Sequence, residues 1–144
     1  MRWQRPRHAG KGLVRRRDDG FTLVELLVVI IIVGLLAAIA IPVYLSQREK
    51  AHDAAATADV AQLGKEVVTW FVDHEEPPVL DQDGRGYRFG GSLVARASDH
   101  VTLHASTTLT ARNNWCVAVV NERGLASATG LRYSASEGFG PGLC

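Results

Sequence analysis

One apolar stretch constrains this chain more than any other feature of its sequence. No charged residue lies between Leu26 and Ile41, and apolar side chains extend this run from Phe21 to Val24 and from Val43 to Leu45. A helix needs roughly 20 apolar residues to cross the hydrocarbon core of a bilayer, which is about 30 Å thick. The sequence therefore predicts a membrane-spanning helix over residues 21–45.

Glu25 interrupts the apolar pattern near the start of this segment. An acidic side chain at the centre of such a helix costs about 2.5–3.5 kcal/mol, and less near an end, so a carboxylate here suggests a functional role. If the chain is cut between Gly20 and Phe21, the new ammonium group of Phe21 lies four residues from Glu25, about 6 Å along the same helical face. Cleavage would therefore supply the missing counter-ion.

The charge distribution predicts how the chain is oriented. Residues 1–20 carry seven basic and two acidic residues, net +5, whereas the rest of the chain carries nine basic and thirteen acidic residues, net −4. A basic segment before an apolar one holds the N-terminus in the cytoplasm. We therefore expect residues 1–20 to be a cytoplasmic leader and the chain after Leu45 to lie outside.

The stretch "RRRDDGFTLVELLVVIIIVGLLAAIAIP" resembles the N-terminus of type IV pilins and type II secretion pseudopilins. The resemblance implies that a prepilin peptidase removes the leader by cleaving after Gly20, that Phe21 is then N-methylated, and that Glu25 neutralises the N-terminal amine of a neighbouring subunit during assembly. It also implies four partners: the chain itself or related pilins, the peptidase, an inner-membrane assembly platform and the lipid bilayer. The matching positions are Gly20, Phe21, Thr22, Leu23, Glu25, Leu26, Gly34 and Pro42.

Three other interpretations of the apolar run compete with this one. An ordinary secretory signal peptide could be cut after Ala40, since Ala38–Ala40 is an A-x-A site, but the run exceeds a usual apolar region and a glutamate inside it has no purpose. A permanent anchor for an unrelated outer domain leaves Glu25 unexplained. A buried core helix does not fit the length of the run or the one-sided charge.

An amphipathic helix is predicted beyond Pro42, over residues 46–76. It would form one helix of about 80 Å with the apolar segment, from Phe21 to Asp73, and Pro77–Pro78 would end it. Gly34 and Pro42 are expected to bracket a compliant part of this helix, because proline lacks an amide hydrogen. The predicted inward stripe is Val60, Leu63, Val67, Trp70 and Phe71.

Other residues of this helix have weaker signals. Gly64 is interpreted as a weak point of about 1 kcal/mol relative to alanine. A narrow alanine face is predicted to continue the stripe upstream, and the charged residues near it are interpreted as solvated or facing another subunit. The alanines are Ala51, Ala54, Ala55 and Ala58, and the charged residues are Arg48, Glu49, Lys50 and Asp53.

Residues 77–144 are predicted to form a small head. Strand-like patterns occur over residues 87–89, 101–106, 115–121 and 131–135, while residues 81–86 and 121–124 are typical of turns. The ending "SASEGFGPGLC" is predicted to be a surface loop, and it resembles the C-termini of pilin-like proteins from Gram-positive bacteria. The predicted fold class is α+β, with a long N-terminal helix packed on a small C-terminal antiparallel β-sheet.

The two cysteines, Cys116 and Cys144, are predicted to form a disulfide, because an even cysteine count in an exported domain favours one. Two free thiols are the alternative and would suit a cytosolic protein.

Metal and catalytic signals are weak. His100 and His104 could share one side of a strand, but they are interpreted as surface residues rather than as zinc ligands. Asp81 and Asp83 are similar to the start of a calcium loop, yet Ser92 stands where the final glutamate should be. We predict no metal, cofactor, catalytic activity or direct nucleic-acid partner.

The sequence thus predicts a structural subunit, a pilin or pseudopilin that assembles into a surface filament or into a secretion or DNA-uptake pseudopilus. Before assembly it would be a single-pass membrane protein with a cytoplasmic N-terminus and an extracytoplasmic head. The alternative is a membrane-anchored extracellular binding domain that does not polymerise. Glu25 and the Gly20–Phe21 junction are the features expected to separate these two functions.

Overall fold

A computed structural model describes residues 20–144, so the leader predicted over residues 1–20 lies, apart from Gly20, outside the described residues. The first element is helix α1, Leu23–Asp73. The chain divides after Ala38 into two compact units, and α1 contributes residues to both. Within the first unit the described residues after Thr22 are helical, and nearly all their side chains are exposed.

In the second unit, α1 buries one stripe of side chains. The apolar members Ala56, Val60, Leu63, Val67 and Phe71 recur every three or four residues and are at most 2% exposed. This confirms the predicted stripe, except that Trp70 lies at its margin and is half-buried.

The predicted alanine face is wrong at three of its four residues, and the fourth, Ala55, is partly buried against the core. Ala51, Ala54 and Ala58 are exposed, whereas Ala56 is fully buried. The inward face instead includes Asp59, whose carboxylate is hydrogen-bonded inside the head.

The end of α1 precedes the two prolines by several residues. The helix ends at Asp73, and the Trp70 indole Nε1 donates a hydrogen bond to the Glu76 carbonyl at 2.8 Å. The chain is therefore already tied into a turn before it reaches Pro77.

Eight strands follow α1 and form two antiparallel sheets, where one sheet was predicted. The first sheet has the order β1-β2-β3, with β1 at Leu80–Asp83, β2 at Gly86–Phe89 and β3 at Ser92–Arg96. The second has the order β4-β6-β7-β8, with β5 also paired to β6. Its strands are β4 Thr102–Leu103, β5 Thr108–Ala111, β6 Asn114–Val120, β7 Leu131–Ser134 and β8 Gly138–Pro141.

Several strand assignments from the sequence are corrected. Residues 81–83, predicted as part of a turn, belong to β1, and only Thr102–Leu103 of the segment 101–106 is a strand. Strands β3 and β5 were not predicted. The ending predicted as a surface loop contains β8, which pairs with β7 from Leu131↔Pro141 to Ser134↔Gly138. Its glycines and proline disfavour a strand locally, and the pairing with β7 overrides that preference.

The head core lies between the stripe of α1 and the inner faces of the two sheets. Tyr87 and Phe89 from β2 and Trp115, Val117 and Val119 from β6 pack in this cluster. The structure contains the predicted disulfide between Cys116 and Cys144, with Cα atoms 5.8 Å apart. The bond ties the last residue of the chain to the central strand β6.

Gly64 is a contact point rather than a defect of the helix. A Cβ atom at this position would lie 2.7 Å from Cδ1 of Tyr133, closer than real Cβ contacts allow. The Tyr133 ring stacks on Trp115 with ring centroids 5.9 Å apart. The absent side chain therefore lets β7 approach the helix closely, so packing opposes the local propensity cost of Gly64.

Candidate functional site

The start of α1 is closed by a pair of reciprocal hydrogen bonds. The backbone amide and the hydroxyl of Thr22 donate to Glu25 Oε2 at 2.9 and 2.8 Å, and the Glu25 amide donates to Thr22 Oγ1 at 3.2 Å. This arrangement is a capping box, in which the residue before the helix and the third helical residue each satisfy the other's free amide. Glu25 thus satisfies a backbone donor that an apolar environment could not satisfy.

This contact gives Glu25 a role that the sequence interpretation missed. The signal was present, because threonine followed three residues later by glutamate before an apolar run is the usual sequence pattern of a capping box. Polymerisation and processing are therefore not the only explanation of Glu25, since a helix starting at Leu23 benefits from it in any context.

Among the described residues, the apolar part of α1 between Leu26 and Leu45 has no packing partners. In the described part of the chain, one helix is long and apolar enough to cross a membrane, and it is α1. None of the side chains in its most apolar window is buried, and Phe21 just before the helix is 81% exposed.

Gly34 and Pro42 both lie within α1, and the helix continues through them. A Cβ atom at Gly34 would meet open space, so no packing contact with another described residue accounts for that glycine. The compliance expected of this part of the helix stays a prediction.

Two carboxylates on α1 hold the head to the helix, and the first is Asp59. It is 5% exposed and accepts three hydrogen bonds: from the Tyr87 hydroxyl at 3.1 Å, the Ser98 amide at 2.7 Å and the Ser98 hydroxyl at 2.8 Å. Burial, together with the charge of Asp59, raises the pKa of Tyr87. These donors replace the water that a buried carboxylate loses.

The second carboxylate is Asp53, which accepts hydrogen bonds from the Ser127 amide at 2.9 Å, the Ser127 hydroxyl at 2.7 Å and the Ala126 amide at 3.1 Å. Burial raises the pKa of Asp53, but the hydrogen bonds from Ser127 and Ala126 outweigh it and leave the pKa below its ordinary value. Asp53 was interpreted as solvated or facing another subunit, and that is wrong. Gly124 leaves room for it, since a Cβ there would lie 2.2 Å from Asp53 Oδ1.

The histidines and aspartates considered as metal ligands are not brought together. His100 is exposed, whereas the Nδ1 atom of His104 lies 2.9 Å from the Ser106 hydroxyl. Asp83 faces Arg88, with 3.8 Å between Oδ2 and Nε. Among residues 20–144, no group of three or more histidine, cysteine or acidic side chains is placed to hold a metal ion.

Comparison with known proteins connects the helix start to a family. Residues 15–41 match the model of the prokaryotic N-terminal methylation motif. The chain is similar to the type II secretion system core protein G of Aeromonas hydrophila, 32% identical over 59% of this chain and 68% of that protein, and of Vibrio cholerae, 33% identical over 58% and 66%. It is also similar to the type IV major alpha-pilin of Moraxella bovis, 30% identical over 84% of this chain and 69% of that pilin.

The chain thus spans about two thirds of the length of these relatives. No solved structure gave a significant match. The methylation motif, the relatives from both groups and the long apolar helix packed on antiparallel sheets agree with one another. This chain belongs to the family of type IV pilins and type II secretion pseudopilins.

Proposed function

We propose that this chain is a structural subunit of a pilus or pseudopilus, anchored in the membrane through residues 21–45 until it assembles. The observation that carries the proposal is the start of α1. Glu25 lies in the first helical turn, and the helix that follows it is apolar and exposed. The Gly20–Phe21 pair precedes it within the methylation motif, with Phe21 four residues before Glu25. The relatives are a type II secretion core protein and a type IV pilin, so the assembled object is a secretion pseudopilus or a pilus.

Processing is proposed to occur between Gly20 and Phe21, followed by N-methylation of Phe21. Two features support this site. Gly20 and Phe21 precede the helix, lie outside regular secondary structure and are exposed, so an enzyme has access to the backbone there. A Cβ at Gly20 would meet no atom within 4 Å, so nothing else in the described chain covers the bond.

Glu25 can cap its own helix and serve a neighbour at once. Both hydrogen bonds from Thr22 end on Oε2, and among the described residues none ends on Oε1. The free oxygen leaves room for the Phe21 ammonium of another subunit. In the apolar core of a filament such a charge pair is attractive, because the low dielectric strengthens it and removes the alternative of solvation.

The remaining partners and the topology follow from the same proposal. The basic leader stays in the cytoplasm and the head lies outside. The subunit meets prepilin peptidase and an inner-membrane assembly platform, and then polymerises with itself or with related pilins. The role is structural, and we propose no catalytic activity.

A second candidate function is a membrane-anchored outer domain that never polymerises. The capping box is compatible with this second function, because capping explains the presence of Glu25 without filament assembly. Two substitutions separate the functions. Glu25→Gln removes the charge, while glutamine still serves in a capping box. Thr22→Ala removes the cap and keeps the charge.

The experiment expresses the parent and both variants in cells that contain prepilin peptidase and an assembly system. It measures the fraction of the chain in sheared filaments and sequences the mature N-terminus. We expect a start at methylated Phe21, a loss of at least tenfold in assembly for Glu25→Gln, and near-parental assembly for Thr22→Ala.

Two results would contradict the proposal. Parental assembly of Glu25→Gln would show that the charge is unnecessary and that capping explains the glutamate. A mature start at Ile41 would identify an ordinary signal peptide.

A further inference from the structure

A cavity of about 360 Å³ lies between α1 and the loop after β6. Its walls are Leu45, Arg48, Glu49 and His52 on the helix and Arg123 on the loop. The helical residues share one face, because their spacings of three, one and three residues follow the helical repeat. Four of its five wall residues are exposed, so the cavity is open to solvent.

The charges around this cavity are unbalanced. Arg48 and Arg123 supply two positive charges and Glu49 supplies one negative charge, which leaves one positive charge when His52 is neutral. Within residues 20–144, neither guanidinium group is in a salt bridge or a hydrogen bond, and Arg123 donates only its backbone amide, to the side chain of Asn121. Two free guanidinium groups, each with a planar fork of donors, are suited to the oxygens of one monoanion such as a phosphate diester.

His52 adds an unsatisfied group to the same cavity. Its Nε2 atom is buried and has no hydrogen-bond partner among the described residues. A buried polar atom without a partner destabilises the fold. Rotation of the ring toward a bound anion would give this nitrogen an acceptor.

The position of the cavity along α1 identifies the source of the anion. Leu45 ends the apolar run. Along a helix Arg48 lies about 4.5 Å beyond Leu45, within reach of the lipid headgroups, whereas His52 lies about 10.5 Å beyond it, on the water side of the headgroup layer. The polar layer on each side of the hydrocarbon core is roughly 5–8 Å thick. We propose that this cavity binds the phosphate group of a membrane phospholipid while the subunit is still anchored in the bilayer. The inference rests on the membrane-anchored stage of the proposed function.

The test uses the full chain, solubilised in dodecyl maltoside micelles, and titrates phosphatidylglycerol while native mass spectrometry counts bound lipids. We expect Arg48→Gln/Arg123→Gln to weaken binding roughly tenfold or more, because it removes charge-assisted hydrogen bonds. Lys50→Gln is the matched control. Lys50 is an exposed cation two residues from Arg48 that does not line the cavity, so its removal should change affinity less than twofold.

Two further ligands identify the source of the phosphate. Diacylglycerol, which lacks a phosphate, should not compete, and inorganic phosphate should bind more weakly than the lipid because it lacks the acyl chains that the micelle holds near Leu45. Near-ultraviolet circular dichroism checks that the variants are folded, and the single variant Arg48→Gln replaces the double variant if that one is not.

Equal weakening by Lys50→Gln would overturn the proposal, because general membrane electrostatics would then explain the binding. Parental affinity in the double variant, competition by diacylglycerol, or inorganic phosphate binding as tightly as the lipid would also overturn it. The measurement uses unassembled chain, whereas the Glu25→Gln assay measures filaments. A failure of this inference is therefore distinguishable from a failure of the proposed function.

Discussion

Gly64→Ala tests whether helix propensity or tertiary packing decides stability in the second half of α1. Propensity alone predicts that alanine stabilises the helix by about 1 kcal/mol. The structure predicts the opposite, because the new Cβ would lie 2.7 Å from Cδ1 of Tyr133, about 0.7 Å inside the 3.4 Å limit of ordinary contact. The ring cannot move away freely, since it is stacked on Trp115 with an interplanar angle of 3°.

The size of the effect follows from these two opposing contributions. Overpacking a well-filled core costs typically 1–3 kcal/mol, and the gain in propensity offsets about 1 kcal/mol of it. We expect Gly64→Ala to lower the free energy of unfolding by about 1 kcal/mol. Urea unfolding of a soluble fragment, residues 46–144 made in an oxidising compartment, would measure it.

A second background isolates the contact with the ring. In a Tyr133→Leu variant, Gly64→Ala should be neutral or stabilising, which gives a coupling energy of at least about 1 kcal/mol between the two sites. Lys65→Ala, at the exposed neighbouring position, is the control and should stay within about 0.5 kcal/mol of the parent. A higher unfolding midpoint for Gly64→Ala in the parent background would refute the packing argument.

Three further predictions concern the same fragment. Cys144→Ser should lower the free energy of unfolding by roughly 3–4 kcal/mol in the chain-entropy model, since the bond closes a segment of 28 residues, and a thiol assay should find no free thiols in the parent. Asp59→Asn should cost about 1–3 kcal/mol in urea unfolding, because the amide cannot accept from all three donors. The pKa of Asp53 is lowered in the fold, so its stabilisation is present above its unfolded pKa of about 3.9 and is lost as pH falls through the lower folded value. The melting temperature should therefore fall as the pH is lowered below about 4, and the fall should be smaller in Asp53→Asn than in the parent.

Each of these expectations can fail in a defined way. Two free thiols in folded, oxidised parent would contradict the disulfide. A loss at Asp59→Asn no larger than that of the exposed control Asp73→Asn would show that the buried hydrogen bonds contribute little. An unchanged acid dependence in Asp53→Asn would assign the acid sensitivity to other carboxylates.

The features that sequence alone determined are local or periodic. The apolar run, the charge on either side of it and the stripe from Val60 to Phe71 depend on residue type and on spacings within one helix, so they can be read without knowing the fold. The disulfide was predictable because the chain has two cysteines. The capping box at Thr22 and Glu25 was equally local and could have been recognised.

The tertiary structure decided what depends on residues far apart in the chain. Three such pairs are Gly64 with Tyr133, Asp53 with Ser127, and Asp59 with Ser98. The pattern of residues within one segment does not predict them. Strand β8 likewise exists because β7 supplies its hydrogen-bond partners. Gly64, the buried carboxylates and the glycine-rich strand β8 are each unfavourable when judged from the local sequence. Each becomes favourable in the fold because a distant residue provides the contact or hydrogen bond that the isolated segment lacks.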